Sequence, residues 1–84
     1  MKPSKIAVLG GGSWGTTTAS VISRNCHTVL WARDATIVDQ INREHRNHRY
    51  LEDAALHPKL TATENIYSAV SEADAVLIAV PSSH

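Results

Sequence analysis

The sequence predicts an α/β fold in which a parallel sheet is flanked by helices. Two runs, residues 6–9 and 75–80, are continuously apolar, as expected of strands buried on both faces. The segments between them carry helical spacing: Ile37, Val38 and Ile41, then Ile66, Ala69, Val70 and Ala73. The first run leads straight into Gly10-x-Gly12-x-x-Gly15, a loop that holds all 4 glycines of the chain. Strand, glycine loop, helix and second strand form the context in which this motif binds a diphosphate. Gly10 permits a tight turn, Gly12 lets the backbone approach the phosphates, and Gly15 allows close packing of the helix. The helix that follows turns its free N–H groups and positive dipole end toward any bound phosphate. The prediction is therefore a Rossmann-type sheet.

The elements follow in order. Residues 5–9 form the first strand and residues 13–24 a helix, with Gly15, Thr18 or Ala19, and Ile22 facing the sheet. Thr16, Thr17 and Thr18 are β-branched, so packing rather than propensity must hold this helix. Asn25, Cys26 and His27 make a turn, and residues 28–31 a β-prone second strand. Asp34 caps a helix over 35–45. Residues 52–59 read as a loop broken by Pro58, and residues 60–63 as a brief third strand. Thr63, or Thr61 in capping-box spacing with Glu64, starts the third helix. Pro81 stops the last strand. The order β-α-β-α-(β)-α-β is that of a parallel sheet with right-handed crossovers. No helix follows the last strand to cover its far side, and the whole reads as the N-terminal portion of a larger domain.

Composition narrows the function. With 84 residues the chain makes one small domain at most. Lys and Arg number 8 against 8 Asp and Glu, which argues against a general nucleic-acid or membrane-surface binder. Cys26 is the only cysteine, so no internal disulfide or cysteine-rich zinc site is expected. No signal peptide is visible, and the longest apolar run is too short to cross a bilayer. A cytoplasmic setting without membrane insertion is expected.

Several residues are candidates for chemistry. Arg33 follows the second strand, where the adenosine ribose is read in this fold. An arginine there pairs with a 2′-phosphate, whereas an acidic residue accepts from a 2′-hydroxyl. Its planar fork meets phosphate oxygens two at a time. NADP(H) is thus favoured over NAD(H), although Asp34 offers the opposite reading and also serves as a helix cap. Ala32 is small and leaves room for the adenine or the phosphate. Ser13 can cap its helix or bond a phosphate, roles that need not exclude each other, and Trp14 is either a lid over the cofactor or a packing residue. Trp31 reads as core. His45 and His48 fall at metal-ligand spacing on a helix face but lack a third ligand, so no metal is expected. Arg43, Arg46 and Arg49 make a basic stripe, read as a solvated helix face or a contact to an acidic neighbour. Cys26, beside His27, reads as structural rather than as a catalytic thiol.

These residues resemble a known family. Residues 6–16, reading Ile-Ala-Val-Leu-Gly-Gly-Gly-Ser-Trp-Gly-Thr, are similar to the opening of the bacterial NAD(P)-dependent glycerol-3-phosphate dehydrogenases. So are Val29-Leu30-Trp31-Ala32-Arg33-Asp34, Ile41-Asn42-Arg43, Asn47-His48-Arg49-Tyr50-Leu51, Leu60-Thr61-Ala62-Thr63 and residues 73–82. The resemblance implies an oxidoreductase that reduces dihydroxyacetone phosphate to sn-glycerol 3-phosphate for phospholipid synthesis. It implies cofactor contacts at Ser13, Trp14 and Arg33, and more weakly at Asp34 and Tyr50, beside the loop glycines Gly10, Gly11, Gly12 and Gly15 already read as the phosphate turn. The family's catalytic lysines and helical substrate domain are expected beyond His84, so the 84 residues alone are not expected to turn over. A small phosphate substrate, and room for a homodimer, belong to the complete enzyme. Cys26 stands where the family usually has glycine, and Thr17-Thr18 where its first helix is rich in alanine and leucine. Residues 27–31 are one residue shorter than usual, and an extra serine precedes His84. Two further readings stay open: another hydroxy-acid or keto-acid dehydrogenase, and a stand-alone nucleotide-sensing module acting through the arginine stripe.

Overall fold

A computed structural model describes residues 4–52 and 54–79. The elements run β1 (Lys5–Leu9), α1 (Ser13–Ile22), β2 (His27–Trp31), α2 (Ala35–Glu44), β3 (Thr61–Thr63), α3 (Ile66–Val70) and β4 (Ala75–Ile78). All strand pairs are parallel, in the order β3-β2-β1-β4. From β1 to β3 the chain steps outward in one direction, and then it jumps back across to β4. Right-handed crossovers therefore put α1 and α2 on one face and α3 on the other. The fold class read from the sequence is the one observed.

The order also fixes where a ligand would sit. β1 lies between β2 and β4, so the direction of travel reverses on either side of it. A crevice opens there at the carboxyl ends of the strands. The ladders continue past the strands into this crevice. Gly10 N–H donates to the Trp31 carbonyl at 2.8 Å, and Ala79 N–H donates to the Leu9 carbonyl at 2.8 Å. The first bond ties the glycine loop to the end of β2, and the second holds the segment after β4 against the end of β1.

One core joins β1, β2 and the inner faces of α1 and α2. Val8, Ala19, Leu30, Ile37, Ile41, Leu56 and Leu60 are its main members. The stripe expected on α2 is present, with Ile37 and Ile41 buried and Val38 half-buried. On α1 the buried set is Gly15, Thr16 and Ala19, so the β-branched Thr16 packs inward instead of merely being tolerated. Short β3 is an edge, and α2 finishes it. Asn42 Nδ2 donates to the Ala62 carbonyl at 2.9 Å while its Oδ1 accepts from the Ala62 N–H at 2.8 Å. One side-chain amide thus stands in for a neighbouring strand.

Several element boundaries differ from those read in the sequence. α1 ends at Ile22, two residues early, because the Ser23, Asn25 and Cys26 amides turn back to carbonyls of the last turn. Asn65, not Thr63 or Thr61, caps α3: its Oδ1 accepts from the Tyr67 and Ser68 N–H groups at 2.9 and 3.2 Å. Thr63 instead accepts from the Asn65 N–H at 3.0 Å, placing the cap one step ahead of the helix. α3 spans 5 residues and ends at Val70, short of Ala73, because Ser71 leaves the helical region at ψ 124° and Glu72 after it takes φ 57°. Lys5 Nζ covers its end by donating to the Ser68 and Ser71 carbonyls at 3.2 and 2.6 Å. β4 pairs only with β1 among the described residues, and its Val76 and Ile78 are 47% and 65% exposed. The expected end of this strand at Pro81, and the serines before His84, lie outside the described residues.

Candidate dinucleotide site

The glycines of the loop divide by what a side chain would meet. Gly10 has φ 129°, and a Cβ there would lie 2.3 Å from the Ala79 carbonyl oxygen. A Cβ on Gly15 would lie 2.2 Å from the Gly10 carbonyl oxygen and 3.0 Å from the Ala79 Cβ. Gly11, for which the motif supplies no role, would meet the Ala32 Cβ at 2.7 Å. The fold itself demands these three. Gly12 is different: among the described residues, its chain neighbours aside, a Cβ there would meet nothing within 4 Å, and φ is an unstrained −75°. No contact among the described residues asks for glycine at this position. The bare backbone faces open space, as a diphosphate cradle requires.

Gly12 is also the N-cap of α1, and no side chain caps this end among the described residues. That corrects one alternative for Ser13. It is the first helical residue rather than the cap, so capping is not its role, while its exposed hydroxyl stands at the mouth of the cavity. The amides of the first turn keep their donors for a ligand, and the helix dipole adds positive potential.

A cavity of about 740 Å³ opens at this point. It is lined by the loop from Gly10 to Gly15, and by Trp31, Ala32, Arg33, Asp34, Ile37, Arg49, Tyr50 and Ala79. All nine residues singled out in the sequence as cofactor contacts are brought together on its wall. Trp14 is 60% exposed at the rim of the cavity. Trp31 corrects the expectation of a core residue. It is half-buried and lines the cavity, anchored by Nε1–H donating to the Glu64 carbonyl at 2.8 Å. Arg33 is exposed at the end of β2, with no hydrogen-bond or ion-pair partner among the described residues.

Asp34 is engaged on both sides. Oδ1 accepts from the Thr36 N–H at 2.8 Å, forming the expected cap of α2, and Oδ2 pairs with Arg49 Nη1 at 3.2 Å. The Thr36 amide, then the Ile37 amide and Arg49, hold this carboxyl below its ordinary value, while desolvation pulls the other way.

The segment after α2 breaks with expectation. α2 ends at Glu44, and His45 takes the left-handed conformation at φ 58°. No single helix face therefore joins Arg43, Arg46 and Arg49, or His45 and His48. Arg43 pairs with Asp39 at 3.6 Å, His48 with Glu44 at 2.9 Å, and Arg49 with Asp34. The chain instead folds back through Asn47, which is fully buried. Its Nδ2 donates to the Gly11 carbonyl and to Thr16 Oγ1, both at 3.0 Å. Its Oδ1 accepts from the Tyr50 N–H at 3.3 Å. Asn47 thus pins the 47–51 turn to the glycine loop and delivers Arg49 and Tyr50 to the cavity. Sequence reasoning missed Asn47 and Arg49, although a lone asparagine inside a run of charged residues was the available signal.

Comparison with known proteins places this arrangement. Residues 5–84 match the family model described as NAD-dependent glycerol-3-phosphate dehydrogenase N-terminus. The chain belongs to that family. A glycerol-3-phosphate dehydrogenase [NAD(P)+] of Sphingopyxis alaskensis is 53% identical over 78 residues, covering 93% of this chain and 23% of the relative. Among solved structures, glycerol-3-phosphate dehydrogenase of Coxiella burnetii superposes with a TM-score of 0.83 at 34% identity, over 94% of this chain and 25% of that one. The Plasmodium falciparum enzyme gives 0.85 at 30% identity, with 94% and 25% covered. The chain thus spans about a quarter of the length of the relatives it matches. The described residues contain no helix long and apolar enough to cross a membrane.

Proposed function

We propose that this chain is the dinucleotide-binding portion of an enzyme that reduces dihydroxyacetone phosphate to sn-glycerol 3-phosphate, with NADPH the preferred donor. The observation that carries the reading is Gly12, whose bare backbone faces a cavity at an uncapped helix N-terminus, with Arg33 on the same wall. Family membership supports a nicotinamide dinucleotide. The loop amides would hold its diphosphate, and Arg33 would meet a ribose 2′-phosphate. When bound, the nicotinamide supplies the hydride. No residue of this chain is assigned to the chemical step, which belongs with a substrate domain elsewhere in the complete protein. The open edge and exposed face of β4 suit such a continuation. The single free cysteine is in keeping with a reducing, cytoplasmic setting.

Titration of the chain with NADPH and with NADH tests this, using Trp14 and Trp31 fluorescence as reporters. Tighter NADPH binding that falls to the NADH level in Arg33→Ala supports the reading. Equal affinities, unmoved by the substitution, contradict the preference, and no binding by a folded chain contradicts the whole. The activity is tested by replacing the matching segment of the Sphingopyxis relative with residues 5–79 of this chain. NADPH oxidation dependent on dihydroxyacetone phosphate is the expected result. The nucleotide-sensing alternative loses its main support, because the arginine stripe it required is not formed.

A further inference from the structure

We infer that Arg49 sets the selectivity of the cavity at the ribose 2′-position, by neutralising Asp34 and by presenting a second guanidinium to a 2′-phosphate. This rests on the dinucleotide reading above. Among the described residues, three charged ones line the cavity: Arg33, Asp34 and Arg49. In this fold an acidic side chain just after the second strand accepts from a ribose 2′-hydroxyl and repels a 2′-phosphate. Asp34 occupies that region, yet neither of its oxygens is uncommitted. Oδ1 accepts from the Thr36 N–H at 2.8 Å, and Oδ2 faces Arg49 Nη1 at 3.2 Å. Each oxygen keeps a further lone pair, but the Arg49 cation offsets the negative charge that would favour a diol and repel a 2′-phosphate.

The placement of Arg49 is built. Asn47 fixes the turn that carries it, and its guanidinium lies 5.3 Å from the centroid of the Tyr50 ring. Its side chain is 64% exposed, so the pair with Asp34 occupies one edge of the fork and leaves further N–H donors toward the cavity. Two guanidiniums against one carboxylate leave the ribose end positive. Without Arg49 the charges cancel and the carboxylate is bared. Arg49 therefore acts twice in the same direction, as a phosphate donor and as the mask on Asp34.

The test is a set of NADPH and NADH titrations on the chain and on Arg49→Met, Arg49→Lys, Asp34→Asn and the Arg49→Met/Asp34→Asn double variant. Arg49→Met should lose about tenfold in NADPH affinity, the worth of one charge-assisted hydrogen bond, with NADH binding kept or improved. Arg49→Lys should retain most of the preference, and Asp34→Asn should restore part of it in the Arg49→Met background. A readout without nucleotide accompanies these: the Asp34 carboxyl, followed by NMR, should titrate at higher pH in Arg49→Met than in the wild type. On the wild-type chain, the Arg49 side-chain resonance should shift with NADPH and not with NADH. An unchanged NADPH-to-NADH ratio in Arg49→Met, or equal shifts with both nucleotides, overturns the inference and leaves the dinucleotide reading standing. Failure of the folded wild type to bind either nucleotide overturns both.

Discussion

Replacing Asn47 by alanine should be among the costliest single changes in this chain, and its cost can be worked from three bonds. The side chain is completely buried, donates twice at 3.0 Å and accepts once at 3.3 Å. A buried hydrogen bond contributes about 1 kcal/mol net, and the longest of the three counts for less. Gly11 keeps a donor in the Thr16 hydroxyl at 3.3 Å, so its carbonyl is not wholly abandoned. The expected loss is about 2–3 kcal/mol. A domain of this size has roughly 4–12 kcal/mol in total, so the change removes a large share. It corresponds to a fall in Tm of about 10–20 °C. Urea unfolding followed by circular dichroism measures it directly. Thr16→Val should cost less when Asn47 is already absent, because the two side chains share one bond. A loss below about 0.5 kcal/mol for Asn47→Ala, the range of ordinary surface changes, would refute the claim that Asn47 pins the turn to the loop.

Gly15→Ala should lower stability by about 1–3 kcal/mol, because its Cβ would collide with the backbone of the loop; an unchanged urea midpoint would contradict this. Asp34→Asn keeps the cap acceptor but loses the charge. Since the folded-state pKa of Asp34 is depressed, its ionisation adds stability above the unfolded pKa, which is lost as pH falls through the folded value. The stability gap between wild type and Asp34→Asn should therefore be present at pH 7 and shrink below about pH 4. A gap that widens on acidification would reverse the assignment.

The parallel sheet and its glycine loop were legible because both rest on local signals. Continuous apolar runs mark β1 and β4, and the glycine spacing marks a turn that sterics independently demand at Gly10 and Gly15. The cap on α2 was legible for the same reason: Asp34 bonds an amide two residues away. What escaped depends on distant partners. Thr16 looks like a poor helix former until Asn47, 31 residues on, comes to satisfy its hydroxyl. The arginine stripe was read from the i, i+3 spacing of Arg43, Arg46 and Arg49, whereas His45 in the left-handed region breaks that spacing and sends the chain back over the loop. Trp31 read as core because its type and strand position are apolar, and only the cavity beside it reveals its second surface. No spacing rule in the sequence announces a contact between Arg49 and Asp34.

Gly12→Ala tests the central claim most directly, because it separates the ligand from the fold. Among the described residues, its chain neighbours aside, its Cβ meets no atom within 4 Å, and its φ of −75° suits alanine, so the urea midpoint should not fall. The added methyl would occupy the space where the diphosphate must approach the backbone. NADPH titration of wild type and Gly12→Ala side by side should show at least a tenfold loss, about 1.4 kcal/mol, at unchanged stability. Equal affinity in the two proteins would contradict the cradle at Gly12 and with it the dinucleotide site.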